Sequence, residues 1–304
     1  MKMEFSGVIN VYKEPGYTSN DVVSILKREL KSKAGHTGTL DPQAEGVLPI
    51  CLGKGTRLAD HIMGQTKKYR ADIHFGIVTD TQDTTGTIIC DKRPVAIDLE
   101  NFQRAIQIFT GKISQIPPMY SAIKVNGEKL YNLARKGIEV ERKPRSIEIF
   151  SIYIVEFSEN SACIDVECSK GTYIRSLCHD IGEFMGVGAA MGKLIRLRSG
   201  SFHAENALTI EQIKNLNATG QLEALIIPPE TILADYSEIS STEEAQRYIV
   251  NGNPIHTQFL NDGNLQIGQK YKLFDYKGQF IGLYVFSEKG YLKSEVILTD
   301  LSKV

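Results

Sequence analysis

The sequence predicts a soluble chain in two unequal parts: a large region of interspersed helices and strands, then a small β-barrel from about residue 236. Three observations lead there. Apolar residues recur on one helical face in several segments. Elsewhere they alternate with polar residues, the two-residue period of a half-buried strand. After about residue 235 the pattern becomes short strands with Gly263, Gly268, Gly278, Gly282 and Gly290 between or within them, as in small barrels.

Taken in order, residues 7–12 read as a strand closed by the turn Glu14-Pro15-Gly16. Thr18 and Asp21 form a capping-box pattern ahead of Val22, Ile25, Leu26 and Leu30, so a helix starts there and ends before Gly35. Tyr69, Ala71, Ile73, Phe75 and Ile77 alternate with Arg70, Asp72 and His74 along a strand with one polar face. Asp98 caps a helix built on Leu99, Phe102, Ile106 and Phe109, which stops near Gly111. Strands over 147–157 and 162–168 are joined by Ser158-Glu159-Asn160. Ile174, Leu177, Cys178, Ile181 and Phe184 give another helical stripe, closed by Gly186. Short helical pieces follow over 209–216 and 221–226. A helix near 242–250 then precedes strands over 271–275, 279–286 and 291–298.

With 304 residues, 42% of them hydrophobic and 23% charged, the chain has ample material for a core. A formal net charge of −1 argues against a chain that is basic throughout, the usual form of a general polyanion binder. One basic run stands out. Lys124, Lys129, Arg135, Lys136, Arg142, Lys143 and Arg145 are matched only by Glu128, Glu139 and Glu141. On composition alone it is equally a solvated face.

Five cysteines (Cys51, Cys90, Cys163, Cys168, Cys178), odd in number and without a C-x-x-C pair, read as free buried thiols in a reducing compartment. The opening MKMEFSGVINVYK lacks an apolar signal core, and no apolar run approaches the ~20 residues a bilayer span needs. The expectation is a cytoplasmic protein without a membrane partner. Nothing calls for a cofactor or metal. Gly53-Lys54-Gly55-Thr56 lacks phosphate-loop spacing, and Gly182, Gly186 and Gly188 follow a helix rather than opening one.

Asp41 is the most informative residue. It sits in Gly35-His36-Thr37-Gly38-Thr39-Leu40-Asp41-Pro42-Gln43-Ala44-Glu45-Gly46. Pro42 biases Asp41 away from the α region, and Gly35 and Gly38 permit backbone angles that other residues resist. Such a loop can hold a carboxylate in one place, although Asp-Pro and Thr-Gly are also ordinary turn dipeptides. A fixed carboxylate can serve as nucleophile or base, and a metal role lacks ligands at the right spacing.

The stretch GHTGTLDPQAEGVLPICLGKGTR from Gly35 closely resembles the signature of the tRNA pseudouridine synthase B (TruB) family, bacterial type. The likeness continues in order through KKYRADIHFGIVTDTQDTTG from Lys67 and QIPPMYSAIKVNGEKLYNLARKG from Gln115. CSKGTYIRSLCHDIG from Cys168 and LIRLRSG from Leu194 complete it. It covers nearly all of residues 5–235.

The resemblance implies an α+β pseudouridine synthase fold, with a mixed, largely antiparallel central sheet flanked by helices, plus a small C-terminal PUA-like β-barrel. It implies a catalytic domain over 1–235, with a basic RNA-gripping insertion at about 120–146, and a PUA-like domain over 236–304. The implied activity is isomerisation of uridine 55 in the TΨC loop of tRNA, with the T-arm stem-loop as partner and a monomeric enzyme.

In the family pattern Asp41 matches the nucleophile, and Arg175 the arginine that pairs with it. Tyr69 matches the tyrosine that stacks on the target base, and Tyr173 one that shapes the uracil pocket. His36 matches the histidine that helps fill the space left by a flipped base. Leu194 matches a pocket-wall position, and Asp83 an acid near the site. Lys124, Lys129, Arg135, Lys136, Arg142 and Lys143 fall in the RNA-gripping insertion.

Without the resemblance Tyr69 and Leu194 read as core residues, Arg175 as a surface arginine and His36 as a turn residue. Stacking on an aromatic is worth ~1–3 kcal/mol per base, comparable with the few kcal/mol needed to extract a nucleotide from its stack. Two other readings belong to different classes. One is a tRNA-binding or folding module without essential catalysis. The other is a glycosylase in which the carboxylate directs water to C1′.

Overall fold

The computed structural model describes residues 5–125, 127–261 and 264–301, so Gly263 lies outside the described residues. The chain opens with β1 (Gly7–Lys13), α1 (Ser19–Glu29), β2 (Ala34–His36) and β3 (Glu45–Leu52). Next come α2 (Ala59–Met63), β4 (Lys67–Phe75), β5 (Ile77–Thr79), β6 (Ile88–Asp91), α3 (Leu99–Ile108) and β7 (Gly111–Gln115). The insertion folds as a two-stranded ribbon, β8 (Lys124–Val125) and β9 (Glu128–Lys129), leading into α4 (Leu130–Arg135). The large region then runs through β10 (Arg145–Phe157), β11 (Ser161–Cys168), α5 (Ile174–Phe184), β12 (Ala189–Ser199), β13 (Phe202–His203), α6 (Ile210–Ala218) and α7 (Pro229–Ile232).

These strands form a nine-stranded sheet in the order β1-β3-β12-β4-β11-β10-β7, with β2 on β3 and β13 on β12. Every pair is antiparallel except β3 with β12, which meet in parallel at Ile195–Glu45 and Arg196–Gly46. The expected mixed, largely antiparallel sheet is therefore present. Its core includes Ile9, Leu26, Leu48, Ile50, Ile73, Phe75, Phe102, Ile164, Val166, Leu177 and Ile181.

The local signals work as expected where their chemistry is local. Thr18 and Asp21 exchange both capping-box hydrogen bonds at α1. Asp98 accepts from the Asn101 backbone N–H at the start of α3. Two short elements differ from expectation. The piece expected over 221–226 is a 3-10 turn over Leu222–Leu225, and β2 intervenes between α1 and the Asp41 loop. Of the five cysteines, all unpaired, Cys51, Cys168 and Cys178 are buried, whereas Cys90 and Cys163 are only half-buried.

The remaining chain supplies β14 (Ser237–Ser240), α8 (Gln246–Val250), β15 (Ile255–His256), β16 (Lys270–Phe274), β17 (Phe280–Phe286) and β18 (Tyr291–Ile297). They form a second sheet, β14-β16-β17-β18-β15, around Ile239, Ile249, Ile255, Leu273, Tyr284 and Leu292. This is the small PUA-like barrel. No described helix is long and apolar enough to cross a membrane.

Candidate active site

The Asp41 loop hangs between β2 and β3 and is anchored from three sides. The Ser19 hydroxyl, at the start of α1, donates to the Leu40 carbonyl at 3.2 Å and accepts from the Leu40 N–H at 2.8 Å. Thr37 donates twice to the Pro49 carbonyl, from its N–H and its hydroxyl. The Ala44 N–H closes a tight turn onto the Asp41 carbonyl at 3.1 Å. Of the two loop glycines, only Gly38 uses a backbone that other residues resist, with φ of 143°. Gly35 lies within β2 without a positive φ.

Arg175, in the first turn of α5, reaches across to this loop. Its Nε lies 3.0 Å from Asp41 Oδ2, and its Nη2 donates to Asp41 Oδ1 at 3.4 Å. Although it stands apart from the apolar stripe of its helix, Arg175 is only 5% exposed. Its remaining donors reach the Tyr120 carbonyl at 2.7 Å and the Thr81 carbonyl at 3.1 Å, with Asp83 Oδ2 at 3.6 Å from Nη1. Asp83 is itself held by the Thr81 hydroxyl at 2.8 Å and by the Thr85 N–H and hydroxyl at 3.0 and 2.5 Å. Two carboxylates therefore share one buried guanidinium.

The Asp41 side chain retains 40% exposure, so the pair is closed on the Arg175 side and open on the other. Pairing alone would lower the Asp41 carboxyl. Burial instead raises it above its ordinary value, Asp83 adds to the rise, and Arg175 and Lys13 oppose it.

Both tyrosines lie within reach of this charge. Tyr69 on β4 faces Val166 on one side and Arg196 on the other in the sheet register. Burial pushes its phenol up, Arg196 opposes that, and Asp41 adds a small rise. Tyr173 precedes α5, where Gln115 grips its backbone with both ends of its amide. The Tyr173 phenol is raised by burial and feels Ser121, Arg145, Arg175 and Asp41. His36, on β2, accepts from the Gly38 N–H at Nδ1, and burial followed by the Arg196 charge lowers its pKa. Leu194 is 7% exposed, pairs with Ala71 on β4 and belongs to the main core.

The basic run is spread over β8, β9, α4 and the segment after it. Lys124, Arg135, Lys136 and Lys143 are exposed, whereas Lys129 and Arg142 are half-buried. Lys136 pairs with Glu128 at 2.6 Å, and Arg142 pairs with Glu139 and donates to the Pro117 carbonyl. Lys129 and Arg135 lie over the Tyr131 ring, 5.4 and 5.5 Å from its centre. None of the six contacts the Asp41 carboxylate.

Three further buried residues build the site, and two of them carry no local signal. Gln115 grips Tyr173 as described. Lys13, wholly buried, donates to the carbonyls of Ala44, Pro42 and Glu14 at 2.7, 3.0 and 3.1 Å. Arg196, 1% exposed, donates to Val47 and Gly38 carbonyls at 2.6 and 3.1 Å. The last could have been noticed as a lone charge inside the apolar run Leu194-Ile195-Arg196-Leu197.

Comparison with known proteins gives the same frame. Residues 25–174 match the model of the TruB family pseudouridylate synthase N-terminal domain, and residues 175–234 that of the tRNA pseudouridylate synthase B C-terminal domain. The chain is 42% identical over 297 residues to tRNA pseudouridine synthase B of Clostridium perfringens, covering 97% of this chain and all of that one. It is 44% identical over 287 residues to the Clostridium tetani protein of that name, covering 94% and 97%. Among solved structures, a Cbf5–Nop10–Gar1 complex superposes with a TM-score of 0.73 at 26% identity, covering 97% of this chain and 86% of the other. The Cbf5 fold is thus shared over 97% of the chain, and with both family models matching in sequence order, the chain belongs to the TruB family of pseudouridylate synthases.

Proposed function

We propose that the protein isomerises uridine 55 in the TΨC loop of tRNA to pseudouridine in the cytoplasm, with Asp41 as nucleophile. The observation that carries this reading is the Asp41 carboxylate, open on one side and held on the other by Arg175 at 3.0 Å. Residues 1–235 act as the catalytic domain and 236–304 as the PUA-like module.

A flipped uridine enters beside the Asp41 loop, and one Asp41 oxygen bonds to the nucleotide as its N1–C1′ bond breaks. The uracil turns and rejoins C1′ through C5. The C5 hydrogen leaves as a proton, N1 takes one up, and the bond to Asp41 breaks to restore the carboxylate. Arg175 holds the carboxylate ionised, and Asp83 steadies Arg175. Tyr69 stacks on the base, and Tyr173 and Leu194 shape its pocket. His36 fills the space the base vacates. Lys124, Lys129, Arg135, Lys136, Arg142 and Lys143 grip phosphates of the T-arm. No redox change occurs, so the chemistry needs no electron carrier.

The test is T-arm RNA labelled with 5-tritiated uridine. The wild-type protein should release tritium and leave pseudouridine, and Asp41→Asn should release none while still binding the RNA. Turnover by the Asn variant would remove Asp41 from its role. Unchanged uridine with the wild-type protein would mean a binding module, and free uracil a glycosylase.

A further inference from the structure

Among the described residues Arg196 is the largest side chain wholly enclosed in the fold, and it is a cation. It donates to two main-chain carbonyls, Val47 at 2.6 Å from Nε and Gly38 at 3.1 Å from Nη2, and lies against the Tyr69 phenol; no carboxylate pairs with it among the described residues. Burying a guanidinium without an opposite charge is unfavourable by several kcal/mol. A buried apolar side chain would fill the same volume without that penalty. A residue that breaks a local rule so plainly, bonded to the loop that carries Asp41, is where function is to be sought.

Its position explains what it touches. On β12, Arg196 pairs with Tyr69 of β4 on one side and with Gly46 of β3 on the other. A side chain at Gly46 would meet the Arg196 backbone oxygen at 2.3 Å, so β3 and β12 pack closely here. The guanidinium lies under the His36–Gly38 end of the Asp41 loop, where a Cβ on Gly38 would sit 3.7 Å from Nη1. Its charge is felt at Tyr69, His36 and Lys13.

We infer that Arg196 is a positioning residue for the isomerisation: one guanidinium ties the Asp41 loop, through Gly38, to β3, through Val47, in fixed register with Tyr69 on β4. The nucleophile and the stacking tyrosine stand on different elements, and Arg196 sets the distance between them. Arginine is required because its planar fork presents donors to two separated acceptors at once, which a lysine ammonium cannot do from one fixed geometry. The inference rests on the isomerase reading.

The experiment compares wild-type protein with Arg196→Lys and Arg196→Met, measuring kcat and KM on tritiated T-arm RNA, together with melting temperature. Displacing a reacting group by ~1 Å can cost ~100-fold in rate, so Met should lower kcat by about that factor. Lys should recover part of the loss, and KM should stay within ~3-fold of wild type in both. A folded Met variant with wild-type kcat overturns the inference. So does a loss explained wholly by the unfolded fraction, or failure of both variants to fold, since either makes Arg196 a folding residue only. Failure of the wild-type protein to form pseudouridine would instead remove the isomerase reading.

Discussion

Lys13 shows how one side chain sets the tension in the site. It is wholly buried at the end of β1, and its ammonium gathers the carbonyls of Glu14, Pro42 and Ala44, two of them in the turn that follows Asp41. Burial pushes its pKa down from 10.5 to about 8, with Asp41 opposing the shift. Between those two values the unfolded chain holds a proton that the folded chain has given up. Stability contributed by Lys13 therefore rises with pH across that window, and below it the full burial penalty applies. Lys67, with its pKa also lowered to about 8, adds a similar slope, so the variant must be compared with wild type at each pH. We expect Lys13→Met to destabilise the protein by ~1–3 kcal/mol near neutrality, because buried carbonyls lose their donor. The stability rise between about pH 8 and 10.5 should also shrink. Urea unfolding at several pH values measures both; a slope identical to wild type would show that Lys13 titrates at the same pH in the folded and unfolded chain.

Asp41 and Arg175 could be singled out from sequence because they stand in motifs with a recognisable pattern. Lys13 could not, and Arg196 left only a lone charge inside an apolar run. A lysine ending a strand and an arginine inside one look like surface residues until β3 and β12, far apart in the chain, close over them.

Among the elements, helices α1, α3 and α5 and strand β4 were readable because each has one buried and one wetter face, which leaves a period in the sequence. Strands β3 and β12 give no such period, and β3 meets a core on each face. Val47 to Leu52 are buried without interruption, and β3 even carries Pro49, a residue that argues against a central strand. The Pro49 carbonyl accepts from the Thr37 N–H and hydroxyl. β3 follows the Asp41 loop and β12 carries Arg196, and their contact depends on Gly46, whose φ is 106° and whose missing side chain leaves room for the Arg196 backbone. We expect Gly46→Ala to destabilise by ~3 kcal/mol or more, combining backbone strain with a clash that backbone cannot relieve. Gly35→Ala, with nothing within 4 Å of the added carbon, should change stability by less than ~0.5 kcal/mol. Paired thermal melts decide it: equal melting temperatures for the two variants would mean that β3 and β12 are not held at this point.

At the scale of the whole molecule, the C-terminal barrel is packed onto the strand that carries the site. Successive side chains of β3 divide between two cores. Leu48, Ile50 and Leu52 enter the main one, while Val47 and Cys51 join Val8, Leu58, Ile62 and Phe202 in a second. That second cluster is completed by Leu283 and Leu298 of the barrel, with Phe280 and Val296 packed against it. Polar contacts seal its rim: Arg57 donates to the Ile297 carbonyl at 2.5 Å, and the Tyr236 hydroxyl lies 3.4 Å from His61 Nδ1. The sequence shows the barrel as short strands and glycines but says nothing of this contact, which is assembled from residues as far apart in the chain as Arg57 and Ile297. Exposing a buried aliphatic or aromatic side chain is unfavourable by ~1.5–3 kcal/mol, and a whole protein is stable by only ~5–15 kcal/mol. Uncovering even part of Val8, Val47, Leu58, Ile62 and Phe202 therefore consumes most of the margin. We expect a chain ended at residue 235 to melt well below the full chain, to bind a hydrophobic dye, and to lose isomerase activity in step with its folded fraction. Leu283→Asp in the full-length chain should do the same to a lesser degree, since it drives a charge into the shared core. Calorimetry of the full chain should show a single transition. If the shortened chain instead melted at the wild-type temperature with its activity intact, the barrel would be an independent appendage and its apolar contact with β3 incidental.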